Sequence, residues 1–183
     1  AQLIKNSIIS AMEIAQLLTN IVNTKFDIQF TGLSLNASKI QPGDIFVALQ
    51  GSKSHGADYA DQAIDRGCVA ILVDAKNLEC NVPTIRIDNL SDHLPTLAKT
   101  YYSDATKVEL IGVTGTNGKT SVAHFISQLL NKLGTNTGLI GTLGIDKNSQ
   151  QSSNTTPDIL TLYRALNEYY QHDIKTAVLE VSS

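Results

Sequence analysis

The sequence contains little that would indicate a metal cluster, a disulfide framework, a membrane span or a nucleic-acid interface. Its two cysteines, Cys68 and Cys80, fit neither a metal-ligand spacing nor a disulfide framework. There is no run of about 18 apolar residues, which a transmembrane helix would need. Lys and Arg form no block and the formal net charge is -3, so a nucleic-acid surface is not indicated. We therefore expect neither a nucleic-acid nor a membrane partner.

The four histidines also give no sign of a metal centre. They are scattered along the chain, and no pair has the spacing typical of zinc ligands: His55, His93, His124 and His172. What the chain does have is a hydrophobic fraction of 42%, which is enough for a folded core. A length of 183 residues is compatible with one large or two small domains.

The most informative segment is a Gly-rich turn between a predicted strand and a predicted helix. The apolar run 108–113 leads into Gly112-Val-Thr-Gly-Thr-Asn-Gly-Lys-Thr120, and a helical pattern starts at once. Backbone N–H groups of such a loop and the helix N-terminus can surround phosphate oxygens. Lys119 can reach the outer phosphates and Thr120 can offer a hydroxyl to Mg²⁺. The general P-loop rule asks for Gly where this chain has Val113, so the spacing departs from it by one residue.

The patterns predict an α/β protein with two domains, residues 1–105 and 106–183. In the first, a small mixed α/β domain, alternating apolar and polar residues at 26–35 and apolar segments at 45–49, 68–73 and 84–88 predict strands. Periodic patterns at 8–18, 57–66 and 90–102 predict helices. In the second, strands at 108–113, 137–145 and 175–181 alternate with helices at 121–133 and 157–170, the latter with Thr156 as a candidate cap. This βαβαβ order is typical of a parallel P-loop-type sheet. Because the chain stops in an apolar run, we expect this second domain to be truncated. We expect residues 103–106 to be the linker between the two domains.

Polar residues at strand ends and in loops are further candidates for ligand contacts. Glu180 lies at the carboxyl end of the last predicted strand, where ligands gather in parallel sheets, and it can hold Mg²⁺ opposite Thr120. The segment 154–158 (Asn-Thr-Thr-Pro-Asp) is either an anion-binding crossover or an ordinary helix cap. Ser38, Lys39 and the segment 52–56 could bind a phosphate or nucleotide sugar, or could be solvated loops.

Together these segments resemble the Mur ligases, cytoplasmic ATP-dependent enzymes that add amino acids to the peptidoglycan precursor. The segment 112–120 is similar to their ATP loop, including its departure from the general P-loop spacing. The segment 39–51 resembles the uridine-nucleotide domain of the E-type and F-type members, and 154–158 and 180–183 are similar to E-type members.

The resemblance implies ATP and Mg²⁺ as cofactors and assigns roles by position. Lys119 would be the catalytic residue on the ATP phosphates. The nucleotide loop would comprise Gly115, Thr116, Asn117, Gly118, Lys119, Thr120 and Ser121, and the Mg²⁺ ligands would be Thr120 and Glu180. The uridine-diphosphate end would contact Ser38, Ser52, Lys53 and Ser54, and the muramoyl part would contact Asn154, Thr155, Thr156 and Ser182. The family commonly has Asp-Ser-Arg where this chain has Ala37-Ser38-Lys39, which loses the bidentate fork of arginine.

The implied reaction adds a third amino acid, meso-diaminopimelate or L-lysine, to UDP-N-acetylmuramoyl-L-alanyl-D-glutamate through an acyl phosphate. The family also uses a carbamylated lysine and a C-terminal domain that this sequence does not contain. We therefore expect this chain to bind these small molecules, as a monomer, without completing the reaction.

Other functions remain open from the sequence alone. They are an F-type ligase that adds D-alanyl-D-alanine, a P-loop kinase or NTPase, a non-catalytic nucleotide-sugar module, and a folate ligase. Val113 argues against a general P-loop enzyme, and residues 1–105 argue against a folate ligase.

Overall fold

The computed structural model describes residues 11–52, 54–142, 144–145 and 156–182. The chain divides into two compact units, Ala1–Tyr101 and Tyr102–Ser183. Each unit is an α/β structure with its own four-stranded sheet. The α/β class predicted from the sequence is therefore confirmed.

The first unit is built on a parallel sheet whose four strands lie side by side in chain order. Its strands are β3 (Gly32–Ser34), β4 (Asp44–Ala48), β5 (Ala70–Asp74) and β6 (Thr84–Ile87). The two central strands are apolar almost throughout, and 45–48 and 70–73 are at most 1% exposed. A parallel strand is covered on both faces, which explains why these segments are continuous apolar runs and do not alternate.

Among its described residues, the first unit has two further strands and three α-helices. The strands β1 (Met12–Glu13) and β2 (Gln29–Phe30) form an antiparallel ribbon. The helices are α1 (Ile14–Leu18), α2 (Ala60–Asp65) and α3 (Leu90–Tyr101), with 3-10 helices at Ala37–Lys39 and Gly56–Tyr59.

The sequence interpretation of this unit was wrong in two places. A helix was predicted over 8–18, but within the described residues this region holds β1 followed by the short α1. A single strand was predicted over 26–35, but β2 and β3 are separate because they pair with different partners, β1 and β4. Between them the Thr31 amide donates to the Gly43 carbonyl at 2.9 Å, which holds the bend.

The second unit has the chain order β7 (Glu109–Val113), α4 (Lys119–Lys132), β8 (Thr137–Gly141), β9 (Gly144–Ile145), α5 (Ile159–Gln171) and β10 (Thr176–Glu180). In the sheet the order is β7-β10-β8-β9, with β10 parallel to both β7 and β8. The predicted parallel βαβαβ arrangement is confirmed. Because β10 lies between β7 and β8, its carboxyl end lies beside the loop that follows β7.

Three details of the second unit differ from the sequence interpretation. The segment 137–145, predicted as one strand, contains β8 and an antiparallel partner, β9, which pairs with it through Gly141 and Gly144. The cap of α5 is Asp158, whose carboxylate accepts the Thr161 amide at 3.0 Å, and Thr156 is used elsewhere. The segment expected to be a linker is the 3-10 helix Ser103–Lys107, which belongs to the second unit.

Candidate functional site

The loop after β7 contains two glycines with positive φ, Gly115 and Gly118. Gly118 is the N-cap of α4 and adopts a left-handed conformation with a φ of 79°. A residue with a side chain would be strained there, although no atom lies within 4 Å of the position that a Cβ would take. The helix therefore starts directly at Lys119, and its positive N-terminal end faces the loop.

Lys119 places its charge within this loop. Its ammonium group donates a hydrogen bond to the Gly115 carbonyl at 2.7 Å, and the residue is half-buried. This bond brings a cation to the backbone that would surround a phosphate group. The same ammonium can exchange this neutral acceptor for phosphate oxygens, which form stronger charge-assisted hydrogen bonds.

Glu180, at the end of β10, lies against the first turn of α4. Its Oε2 accepts the Thr120 hydroxyl at 2.9 Å and the Thr142 hydroxyl at 3.1 Å. Its Oε1 accepts the Thr142 amide at 3.3 Å. The residue is only 1% exposed. The strand-end carboxylate and the loop hydroxyl, which sequence reasoning placed opposite each other, are therefore in direct contact.

This arrangement suits a hard divalent cation. The donors to the Glu180 carboxylate are neutral, and no ion pair to it is present within the described part of the chain. A buried carboxylate without a cation is costly, and Mg²⁺ takes one or two protein oxygens and completes its shell with phosphate oxygens and water. The described residues contain no group of three or more His, Cys, Asp or Glu side chains that could bind a metal without such help.

Thr156 links the start of α5 to the end of β10. Its hydroxyl donates to the Glu180 carbonyl at 3.1 Å and accepts the Ser182 amide at 2.9 Å, and the two side-chain oxygens lie 2.8 Å apart. Two of the residues predicted for the muramoyl part therefore meet beside Glu180. The other two, Asn154 and Thr155, lie outside the described residues.

In the first unit, the predicted uridine-binding serines lie in loops that follow neighbouring strands. Ser38 comes after β3, where its hydroxyl donates to Asn36 Oδ1 at 2.7 Å and its amide to the same oxygen at 2.9 Å. Ser52 and Ser54 come after β4, in a tight turn closed by the Gly51 amide and the Ser54 carbonyl. Because β3 and β4 are parallel neighbours, both loops lie at the carboxyl edge of the sheet. Lys53 lies outside the described residues.

His55 has a structural role in this loop. Its Nδ1 accepts the Ala57 amide at 2.9 Å, so its Nε2 carries the proton and donates to the Asp74 carbonyl at 2.9 Å. The Asp58 carboxylate accepts the His55 amide, and Lys76 pairs with Asp58 at 2.7 Å and lowers the pKa of that carboxyl. These bonds cap the 3-10 helix Gly56–Tyr59, which follows the turn of Ser52 and Ser54.

Sequence reasoning missed Thr142 and Gly141. A Cβ at Gly141 would overlap the side chain of Glu180, so only glycine leaves room for the carboxylate there. The strand-end rule that identified Glu180 applies equally to the end of β8. It was not applied at this point because the whole segment 137–145 was interpreted as one strand.

Comparison with known proteins supports the same interpretation of both units. The model described as "Mur ligase family, catalytic domain" matches residues 29–102, and that of the "Mur ligase middle domain" matches residues 113–183. The curated UDP-N-acetylmuramoyl-L-alanyl-D-glutamate–2,6-diaminopimelate ligase of Bacillus licheniformis is 35% identical over 180 residues, which cover 94% of this chain and 37% of that protein. The enzyme of the same name from Lactiplantibacillus plantarum is 39% identical over 165 residues, which cover 88% of this chain and 33% of the relative. The chain therefore spans about a third of the length of these relatives.

Solved structures show the same fold. A structure of a UDP-N-acetylmuramoyl-L-alanyl-D-glutamate–2,6-diaminopimelate ligase superposes with a TM-score of 0.68 at 24% identity, over 94% of this chain and 36% of that one. The MurF ligase of Thermotoga maritima in complex with ADP gives a TM-score of 0.56 at 24% identity, over 82% of this chain and 32% of the other. At this identity the likeness concerns the fold alone. Among the described residues, no helix is long and apolar enough to cross a membrane.

Proposed function

The chain belongs to the Mur ligase family, and on that premise we propose that it carries the nucleotide-sugar and ATP sites of an ATP-dependent ligase of peptidoglycan synthesis. The ligase would join 2,6-diaminopimelate, the amino acid named in its relatives, to UDP-N-acetylmuramoyl-L-alanyl-D-glutamate. The observation that carries the proposal is the 2.9 Å hydrogen bond between Thr120 in the loop and Glu180 at the strand end. It joins the phosphate loop to a buried carboxylate suited to Mg²⁺.

The proposed reaction has two chemical steps. The terminal carboxylate of the nucleotide-sugar dipeptide attacks the γ-phosphorus of ATP, which forms an acyl phosphate and releases ADP. The amine of the incoming amino acid then attacks the acyl carbon, an amide bond forms, and inorganic phosphate leaves. Such a reaction depends mainly on positioning and on electrostatic stabilisation of the phosphoryl oxygens.

The residues of the second unit have distinct parts in this proposal. Lys119 and the N-terminus of α4 would bind and orient the phosphates and stabilise their charge. Thr120 and Glu180 would hold Mg²⁺, which when bound neutralises charge on the phosphate oxygens. Thr156 and Ser182, which lie beside Glu180, would contact the muramoyl part. We place the reaction in the cytoplasm, where ATP and the UDP-linked precursor are both available, with the chain acting as a monomer.

The first unit would bind the uridine-diphosphate end of the precursor. Ser38, Ser52 and Ser54 present hydroxyl groups at the carboxyl edge of the parallel sheet, the edge at which ligands bind in open α/β structures. Lys39, in the same loop as Ser38, is exposed and adds a positive charge for a diphosphate.

Replacing Ser38 by alanine tests this assignment. We expect the affinity for UDP-N-acetylmuramoyl-L-alanyl-D-glutamate to fall at least about tenfold, since a hydrogen bond to a charged group contributes about 1.5–3 kcal/mol. The fold should persist, because Asn36 still caps the 3-10 helix through the backbone amide of residue 38. The measurement is a calorimetric titration of this chain.

Ser103→Ala is the matched control, because Ser103 is also an exposed serine in a 3-10 helix and lies in the other unit. The control should bind like the wild type. An equal affinity of the Ser38→Ala variant would remove Ser38 from the proposed site.

A further inference from the structure

Thr142 holds the carboxylate of Glu180 from the end of β8, a neighbour of β10 in the sheet. It directly follows β8, whereas Glu180 ends the neighbouring strand β10. Its amide donates to Oε1 at 3.3 Å and its hydroxyl donates to Oε2 at 3.1 Å. One residue thus contacts both oxygens of the carboxylate.

The two donors of Thr142 restrict the carboxylate because each binds a different oxygen. With both oxygens bound, rotation of the carboxylate about its terminal bond breaks at least one hydrogen bond. Thr120, in the first turn of α4, contributes a third bond, to Oε2. The orientation of the group is therefore set by residues from the ends of two elements, α4 and β8.

The local backbone also fits this close approach. Gly141, which precedes Thr142, has no side chain, and a Cβ there would overlap the Glu180 carboxylate. The absence of this one carbon lets the carboxylate lie against the end of β8, within reach of both Thr142 donors. Glu180 is nearly fully buried in this position.

We propose that Thr142 is a positioning residue for the metal-binding carboxylate of Glu180. The inference rests on the proposed Mg²⁺ and ATP site and adds to it a residue that touches neither ATP nor metal. Residues that orient a metal ligand through a hydrogen bond typically change metal affinity by about 10- to 100-fold when they are replaced. Loss of the Thr142 hydroxyl should therefore weaken Mg²⁺ binding and leave metal-free nucleotide binding unchanged.

The test compares ADP binding by Thr142→Val and the wild type, as Mg²⁺ is added and in the presence of a chelator. Valine keeps the shape and the backbone amide and removes only the hydroxyl. For Thr142→Val, we expect the Mg²⁺ concentration that gives half-maximal enhancement of ADP binding to rise about tenfold. In the presence of the chelator, the ADP affinity should be unchanged. Thr142→Ser, which keeps the hydroxyl, should restore the wild-type value. Thr142→Ala serves as a second variant without the hydroxyl.

Thr137→Val is the matched control. Thr137 begins β8, the strand that Thr142 follows, and its hydroxyl donates to the Thr135 carbonyl at 2.9 Å and not to Glu180. The Mg²⁺ dependence of ADP binding by Thr137→Val should therefore equal that of the wild type. Thermal melting of every variant reports on folding.

The outcomes separate this inference from the proposed function. A wild type whose ADP binding does not respond to Mg²⁺ would overturn both. If Mg²⁺ enhances ADP binding by the wild type, and equally by Thr142→Val and Thr142→Ala, the positioning role alone is overturned. A loss of UDP-N-acetylmuramoyl-L-alanyl-D-glutamate affinity in Thr142→Val, with an unchanged Mg²⁺ response, would make Thr142 a substrate contact and would also overturn it.

Discussion

Replacing Lys119 by methionine is expected to weaken binding of Mg²⁺-ADP by about 100-fold, within the range that loss of one or two charge-assisted hydrogen bonds implies. Lys119 lies at the first position of α4, and its ammonium group already contacts the loop backbone at Gly115. Methionine keeps the length of the apolar stem and removes the charge. Fluorescence anisotropy with a labelled ADP measures the change.

The control for this experiment is Lys132→Met, at the other end of the same helix. Lys132 is exposed in the last turn of α4, so its replacement removes the same charge far from the loop. It should leave ADP affinity unchanged, and both variants should melt within a few degrees of the wild type. Binding of Mg²⁺-ADP by Lys119→Met with wild-type affinity would contradict the assignment of the loop.

Replacing Glu180 by glutamine is expected to abolish the enhancement of ADP binding by Mg²⁺. The amide keeps the shape of the side chain but removes the negative charge that attracts the cation. Folding should not suffer, because one oxygen still accepts the Thr142 amide and the hydroxyls of Thr120 and Thr142 can rotate to accept hydrogen bonds. The measurement is ADP affinity with Mg²⁺ and with a chelator, together with a melting curve.

Glu168→Gln is the matched control for the loss of a partly buried carboxylate. Glu168 lies on α5, and burial raises the pKa of its carboxyl, against the opposing effects of Arg164 and His172. When folding raises the pKa of an acid, the folded state becomes less stable as the pH rises above the pKa that the acid has in the unfolded chain. Glu168→Gln removes that penalty at neutral pH, so this variant should be at least as stable as the wild type and keep its full Mg²⁺ response. A Mg²⁺ response that survives in Glu180→Gln would show that the cation is held elsewhere.

The central strands and the contact between loop and strand end were predictable because each rests on one strong rule. The segments 45–49 and 70–73 are apolar at every position, as buried parallel strands are, and β4 and β5 lie there. The meeting of Thr120 and Glu180 follows from the tendency of parallel sheets to gather polar side chains at their carboxyl edge. Both could be inferred without knowing any long-range contact.

The details that escaped prediction depend on which partner a residue finds after folding. Thr156 and Asp158 are both good helix caps by residue type. Asp158 takes that role because the Thr156 hydroxyl is engaged by the Glu180 carbonyl and by Ser182. The sequence around Thr142 likewise predicts one strand that contains glycines. Only the antiparallel pairing of Gly141 with Gly144 shows that the chain reverses direction there.

The most direct test of the account is a calorimetric titration of this chain with UDP-N-acetylmuramoyl-L-alanyl-D-glutamate, with Mg²⁺-ADP as the parallel ligand. The serine loops of the first unit would bind the first ligand, and the loop around Lys119 would bind the second. We expect both to bind, Ser38→Ala to weaken only binding of the nucleotide sugar, and Lys119→Met to weaken only binding of Mg²⁺-ADP. Binding of Mg²⁺-ADP without any binding of the nucleotide sugar would indicate a different P-loop enzyme, and binding of neither ligand would contradict the account as a whole.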